Sequence, residues 1–169
     1  MLDAAAEVLA EQGPDASIDE IARRAGVGHG TVFRRFPTKE SLVAAVMCLR
    51  LEQFSGWAEE SLAEPDAGAA FEGFVWRIAE AFARDRALCE GIPRGGETTE
   101  LLEAKARLHG LVEALVTRAQ DEGSLRRDIA ADDVPVLVGS AILGSTQMGP
   151  GDAWRRYVGV VLDGMRRGV

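Results

Sequence analysis

Two cysteines and two histidines are the whole supply of thiol and imidazole metal ligands in this 169-residue sequence. Cys48 and Cys89 stand far apart with no Cys-x-x-Cys between them, which argues against a disulfide framework or a zinc site and fits a reducing compartment. His29 and His109 are just as isolated, without the clustered Cys, His or acidic partners that a metal geometry needs. Neither a metal nor a cofactor is expected. No apolar run reaches the roughly 18 residues of a membrane span, and no basic segment leads into an apolar one. Asp3, Glu7 and Glu11 interrupt the first helical stretch, so the expectation is a cytoplasmic protein with no membrane partner. Strand signals are missing too: no alternating β-branched run bounded by turns occurs. Enzyme signatures are equally scarce. Gly26-Val-Gly-His-Gly30 superficially suggests a nucleotide loop, but the sixth position of G-x-G-x-x-G is Thr31, and a helix rather than a strand precedes it. With no Ser/His/Asp order and no Walker motif, an enzyme is not expected.

What the sequence has is helical periodicity between Gly and Pro breaks, with 47% hydrophobic residues, enough to bury a core in one or two small domains. The fold class is all-α. The most informative stretch runs from Ser17 to Lys39. Ser17 and Glu20 have the spacing of a capping box, in which each side chain accepts from the other's backbone N–H, so a helix begins at Ile18. Ile18, Ile21, Ala22 and Ala25 follow at i, i+3, i+4, i+7, and Gly26 supplies the positive φ of a tight interhelical turn. Thr31, Val32 and Phe36 belong to a second, shorter helix that Pro37 ends. This is a helix-turn-helix, whose second helix is free to enter a DNA major groove. In a chain of net charge -8, the window Ile21 to Lys39 holds Arg23, Arg24, Arg34, Arg35 and Lys39 and no acid, which suggests a polyanion partner at one face only.

The stretch A-G-V-G-H-G-T-V-F-R-R-F-P-T-K-E-S-L, Ala25 to Leu42, resembles the signature of TetR-type bacterial transcriptional regulators. The amphipathic helix before it, Leu2 to Gln12 closed by Gly13-Pro14, extends the resemblance to about the first 50 positions. Phe33 stands where the family usually has Tyr, which removes a phenolic phosphate contact; Arg35 replaces the usual His and supplies a permanent positive charge. The resemblance implies that Lys39, at the start of a long helix capped by Thr38, binds a phosphate, and that the last two long helices form a dimer. Members often carry a basic arm ahead of the first helix, whereas here that helix starts almost at Met1. The DNA-facing candidates are Ser17, Gly28, His29, Gly30, Thr31, Phe33, Arg34, Arg35 and Lys39. His29 and Thr31 suit base edges or thymine methyls, Arg34 suits guanine or phosphate, and the glycines permit close backbone approach.

Residues 1–47 therefore form a helix-turn-helix domain, with Leu2, Ala5, Ala6 and Leu9 facing inward from the first helix. Residues 48–169 form a helical effector-binding and dimerisation domain. On the long fourth helix Leu42, Val43, Val46 and Trp57 mark the buried face, and Arg50 and Gln53 fall on that same face, where they need partners or an effector. A break at 63–68 precedes the stripe Phe71, Phe74, Val75, Ile78, Ala79 and Phe82, with Trp76 off it. A short helix is expected over 86–92 and an unconstrained segment over 93–96. Thr98 or Thr99 caps a helix with the stripe Leu101, Leu108, Val112, Leu115, Val116 and Ala119, bordered by Lys105 and His109. The effector candidates are Arg50, Gln53, Trp57, Phe74 and Ile78, together with Phe82, His109, Leu115 and Met148. Asp132 or Asp133 caps a helix whose Val136 to Leu143 segment is apolar all round and must be buried on more than one side. Asp152 caps an amphipathic last helix with Trp154, Tyr157, Val158, Val161, Leu162 and Met165 on one face. Such a pair exceeds one subunit's needs, which predicts a homodimer through residues about 132–167.

Two function classes follow. One is a dimeric regulator, a repressor released from a pseudo-palindromic double-stranded DNA operator by a small-molecule effector. The other is an effector-independent helical DNA-binding or interaction protein, which shares the fold and lacks the ligand response.

Overall fold

The computed structural model describes residues 1–85, 98–146 and 151–168. Among them are eight helices and no strand: α1 Leu2–Gln12, α2 Ile18–Arg24, α3 His29–Arg35, α4 Lys39–Leu62, α5 Ala67–Arg84, α6 Thr99–Asp121, α7 Asp133–Thr146 and α8 Ala153–Met165. The class is all-α, as the periodicity requires. The expected short helix over 86–92, the segment 93–96, Cys89 and Met148 lie outside the described residues. No helix among the described residues is long and apolar enough to cross a membrane. The chain divides into two compact units, one of Met1–Glu52 and Arg84–Lys105, the other of Gln53–Ala83 and Ala106–Val169.

In the first unit α1 buries Ala5, Ala6, Val8 and Leu9. Val8 takes the inward place expected of Leu2, which sits half-exposed at the helix start. Gly13, at φ 83°, ends the helix with its N–H on the Leu9 carbonyl at 2.8 Å. At α2 only half of the expected capping box forms. The Glu20 N–H donates to Ser17 Oγ at 3.2 Å, but the Glu20 carboxylate takes a two-pronged bond from Arg23, at 2.7 and 2.9 Å, instead of turning back to Ser17. The helix closes as a Schellman motif around Gly26, φ +66°. The Gly26 N–H reaches the Arg23 carbonyl at 3.2 Å and the Val27 N–H reaches that of Ala22 at 3.0 Å.

Ile21, fully buried on α2, contributes about 1.5–3 kcal/mol by leaving water. At α4 a reciprocal cap does form: the Ser41 N–H donates to Thr38 Oγ1 at 3.1 Å and the Thr38 N–H to Ser41 Oγ at 3.3 Å. Leu42, Val43, Ala44, Val46 and Met47 follow as the buried face. Arg50 Nε donates to the buried Asp85 carboxylate at 3.1 Å.

In the second unit Gln53 is exposed, so its expected place on the apolar stripe is corrected; Phe54, Ser55 and Ala58 carry the burial there. At the end of α4, Arg118 donates to the carbonyls of Leu62, Glu64 and Pro65, supplying partners that the helix end lacks. Asp66 opens α5 by accepting the Ala69 N–H at 2.9 Å. Phe71, Phe74, Val75 and Ala79 are buried, Ile78 and Phe82 half-buried, and Trp76 lies 6.4 Å from Trp154 of α8, which explains its place off the stripe.

Thr98 caps α6 by accepting the Leu101 N–H at 3.3 Å. The stripe buries Leu101, Val112, Leu115, Val116 and Ala119, with Leu108 half-buried. Asp133 accepts the Ala130 N–H ahead of α7, while Asp152 stands at the N-cap of α8 without a side-chain bond, its backbone carbonyl serving Arg155 instead.

The packed α7 and α8 bury Val134, Val138 and Ile142 against Trp154, Val158, Leu162 and Met165. Among the described residues this is the face of α7 that is buried. Val136 is 64% exposed, and Leu137 and Leu143 are exposed as well.

Gly26 in the turn and Gly30 within α3 separate backbone from packing effects. A Cβ at Gly26 or at Gly30 would meet nothing within 4 Å, but only Gly26 has positive φ. Gly26→Ala therefore destabilises the fold by about 1–2 kcal/mol, while Gly30→Ala stabilises it by about 0.5 kcal/mol. Urea unfolding of the two variants checks the opposite signs.

Candidate nucleic-acid interface

Helix α3 buries a single residue, Val32. His29, Gly30, Thr31, Phe33, Arg34 and Arg35 are all exposed, as are Gly28 at its N-cap and Ser17 at that of α2. Six of the DNA-facing candidates thus lie on α3 and a seventh, Gly28, at its N-cap, with open space around both glycines, while Ser17 caps α2 and Lys39, half-buried, begins α4. Ser17 Oγ already accepts the Glu20 N–H, and its own hydroxyl proton remains available to an outside acceptor.

The basic island is narrower than the residue count suggested. Arg24 is held by Glu11 at 3.0 Å and approached by Glu7 and Glu20, while Arg23 is held by Glu20. These acids lie before the counted window and come back through the fold, so two of the five counted cations, Arg23 and Arg24, are ion-paired within the unit. Arg34, Arg35 and Lys39 have no ion pair among the described residues; Arg35 extends over the Phe36 ring at 5.8 Å. Phe33, which lacks the phenol, instead lies beside the His29 ring at 4.7 Å between centroids. A further partner of that histidine was not legible in the sequence. Asp19 of α2 reaches His29 Nδ1 across ten positions, a contact that no helical spacing announces.

The effector candidates are distributed. Arg50 is engaged by Asp85, and Gln53 is exposed. Trp57 and Phe82 flank Phe54, with ring centroids at 5.4 and 6.1 Å, and Arg77 lies over the Trp57 ring at 4.7 Å. Phe74 and Leu115 are buried and Ile78 half-buried. His109 is exposed and pairs with Asp132 at 3.0 Å. The Cys48 thiol is pushed up by burial, and further by Glu52 and Glu100, which disfavours the thiolate. Among the described residues no cluster could hold a metal ion. Along α7 and α8 a groove of about 460 Å³ is lined by Ser140, Ala141, Gly144, Tyr157, Val160 and Val161.

The hydrogen bond from Arg24 holds the Glu11 carboxyl below the ordinary glutamate value, and that from Arg23 does the same for Glu20. A depressed carboxylate contributes stability that is present above the unfolded glutamate value of about 4.3 and is lost as pH falls through the folded one. Arg24→Gln therefore gives a shallower fall of the urea midpoint with acid below that value than the unsubstituted protein shows.

The comparisons with known proteins agree with this geometry. Residues 1–46 match the family described as bacterial regulatory proteins, tetR family, and residues 66–167 match that described as transcriptional regulator SbtR-like, C-terminal domain. The HTH-type transcriptional repressor Rv3405c of Mycobacterium tuberculosis is 54% identical over 48 residues, 28% of this chain and 26% of that protein, so the match spans about a quarter of the relative. The TetR transcription regulatory protein from Mycobacterium vanbaalenii is 32% identical with a TM-score of 0.64, covering 98% of this chain and 92% of that one. TetR transcriptional regulator SCO0520 from Streptomyces coelicolor is 28% identical with a TM-score of 0.71, covering 99% and 97%. An exposed second helix of the helix-turn-helix, an all-α fold and matches running nearly the whole length of the chain lead to one conclusion: the chain belongs to the TetR family of bacterial transcriptional regulators.

Proposed function

We propose that this regulator is a homodimeric repressor, bound to a pseudo-palindromic operator through residues 1–47 and released by a small-molecule effector held within residues 48–169. The observation that carries the DNA reading is the α3 surface, where every side chain but that of Val32 is exposed and Arg34, Arg35 and Lys39 have no ion pair among the described residues. Arg34 reads guanine or phosphate, Thr31 meets a base edge or thymine methyl, and Lys39 and Ser17 take phosphates. Gly28 and Gly30 let the backbone come close. Repression is the activity named for the relative Rv3405c.

The dimer reading rests on α7 and α8. Val136 is 64% and Val160 65% exposed, beside an apolar groove, in a helix pair whose other side is packed. A second copy laid antiparallel across that surface removes it from water. The effector reading rests on the aromatic side chains Trp57, Phe74 and Phe82 of the second unit, which suit a partly apolar ligand. To release the operator, the effector must prefer the state in which the two heads cannot occupy successive major grooves, by on the order of several kcal/mol.

Selection of bound duplexes from a random library, at two salt concentrations, tests the DNA reading. A two-fold symmetric site is expected, bound more weakly at higher salt. Lys39→Ala weakens all sequences alike and lowers the salt slope by about one, whereas Arg34→Ala also relaxes a base position if it reads guanine. A folded protein that enriches no duplex at either salt overturns the reading. For the dimer, Val136→Glu combined with Val160→Glu yields a helical monomer in sedimentation equilibrium where the unsubstituted protein is a dimer; an unsubstituted monomer at micromolar concentration overturns it.

A further inference from the structure

The acidic residue Asp19 sits at the edge of a surface that otherwise offers cations and neutral donors. Its carboxylate contacts Nδ1 of His29, the first residue of α3, and the Phe33 ring lies beside the imidazole at 4.7 Å between centroids, tilted by 36°. Asp19 and His29 are both exposed, so the pair adds little to the stability of the fold and its role has to be sought elsewhere.

We propose that Asp19 is a positioning residue that sets which base edge His29 reads, and that this choice reverses when the imidazole is protonated. The assignment rests on the reading of α3 as the DNA-facing helix. An ionised carboxylate can only accept, so in the neutral ring the proton stays on Nδ1, and Nε2 presents a lone pair. Nε2 makes no hydrogen bond among the described residues. In the major groove a lone pair is matched by the adenine N6 amino group or the cytosine N4 amino group and clashes electrostatically with guanine N7 and O6. Protonation places an N–H on Nε2 while Asp19 still holds Nδ1, and the same atom then suits guanine. The ring is flanked by Asp19 from α2 and by the uncharged Phe33 from α3. The nearest cations further along α2, Arg23 and Arg24, are occupied by Glu20 and Glu11.

The test is duplex selection with the unsubstituted protein, Asp19→Ala and His29→Ala at about pH 8, and with the unsubstituted protein again at about pH 5.5, a range over which histidine changes charge. At the higher pH one symmetric position in each half-site is expected to carry adenine or cytosine, and at the lower pH that position moves to guanine. Asp19→Ala, which frees both tautomers, relaxes the preference there by roughly three- to tenfold and leaves the other positions unchanged, as expected for one lost hydrogen bond. His29→Ala abolishes the preference at the same position. Thermal melts by circular dichroism confirm that each variant folds. A symmetric site whose every position is the same in Asp19→Ala and at both pH values overturns the Asp19 assignment and leaves the DNA reading standing. An unsubstituted protein that enriches no duplex overturns the DNA reading, and the assignment with it.

Discussion

Helix α3 is seven residues long, well short of the roughly 12–15 that a helix needs to persist alone in water. It exists because Val32, 1% exposed, is buried in the packing against α2, and because the Schellman turn at Gly26 delivers the chain to that position at the right angle. One buried side chain holding one short helix leaves all its other side chains unclaimed by the core. An exposed yet well-placed surface is what contact with an outside polymer requires, and here it is a direct consequence of how little of α3 the fold uses.

The charges follow the same division. The protein carries net charge -8, so a general attraction to polyanions is excluded and any such attraction must be local. Arg23 and Arg24 are next to the turn but are consumed in tying α2 to itself and to α1 through Glu20 and Glu11. Their pairs are exposed and contribute modestly to stability; their greater effect is to withdraw two cations from the outer surface. Arg34, Arg35 and Lys39, placed around the Phe36–Thr38 turn, carry the remaining positive charge of residues 1–47. Among residues 1–47, basic side chains without an ion pair thus gather where α3 and the start of α4 meet.

At the other end of the sequence the constraint is the reverse. α7 has apolar residues on all sides, and α8 covers one of them. The uncovered side chains Val136 and Leu137 are branched and large, and leaving them in water forgoes the stabilisation their burial would bring. The loop before α7 is held instead by polar bonds: Gln120 donates to the carbonyls of Arg126 and Ile129, both at 2.8 Å, and Arg126 reaches the Gly164 carbonyl at 3.1 Å. These bonds fix where α7 begins relative to α8 without drawing on its apolar surface.

Helix positions were legible in the sequence because each depends on local signals. Apolar spacing, Gly13 and Gly26 at positive φ, Pro37 after α3, and Thr38 and Thr98 as caps act within a few residues of themselves, so the all-α class, the helix-turn-helix and the long α4 could be read directly. Tertiary structure alone decided the partners of polar side chains. Glu20 turned from Ser17 to Arg23, Arg24 found Glu11, Gln53 went to the surface, Arg118 closed the end of α4, and Asp19 met His29. A long polar side chain can reach several neighbours at similar cost, and which one it takes depends on residues that only folding brings near. The position of α3 was therefore set by the sequence itself, and the chemistry presented at its ends by what packed beside it.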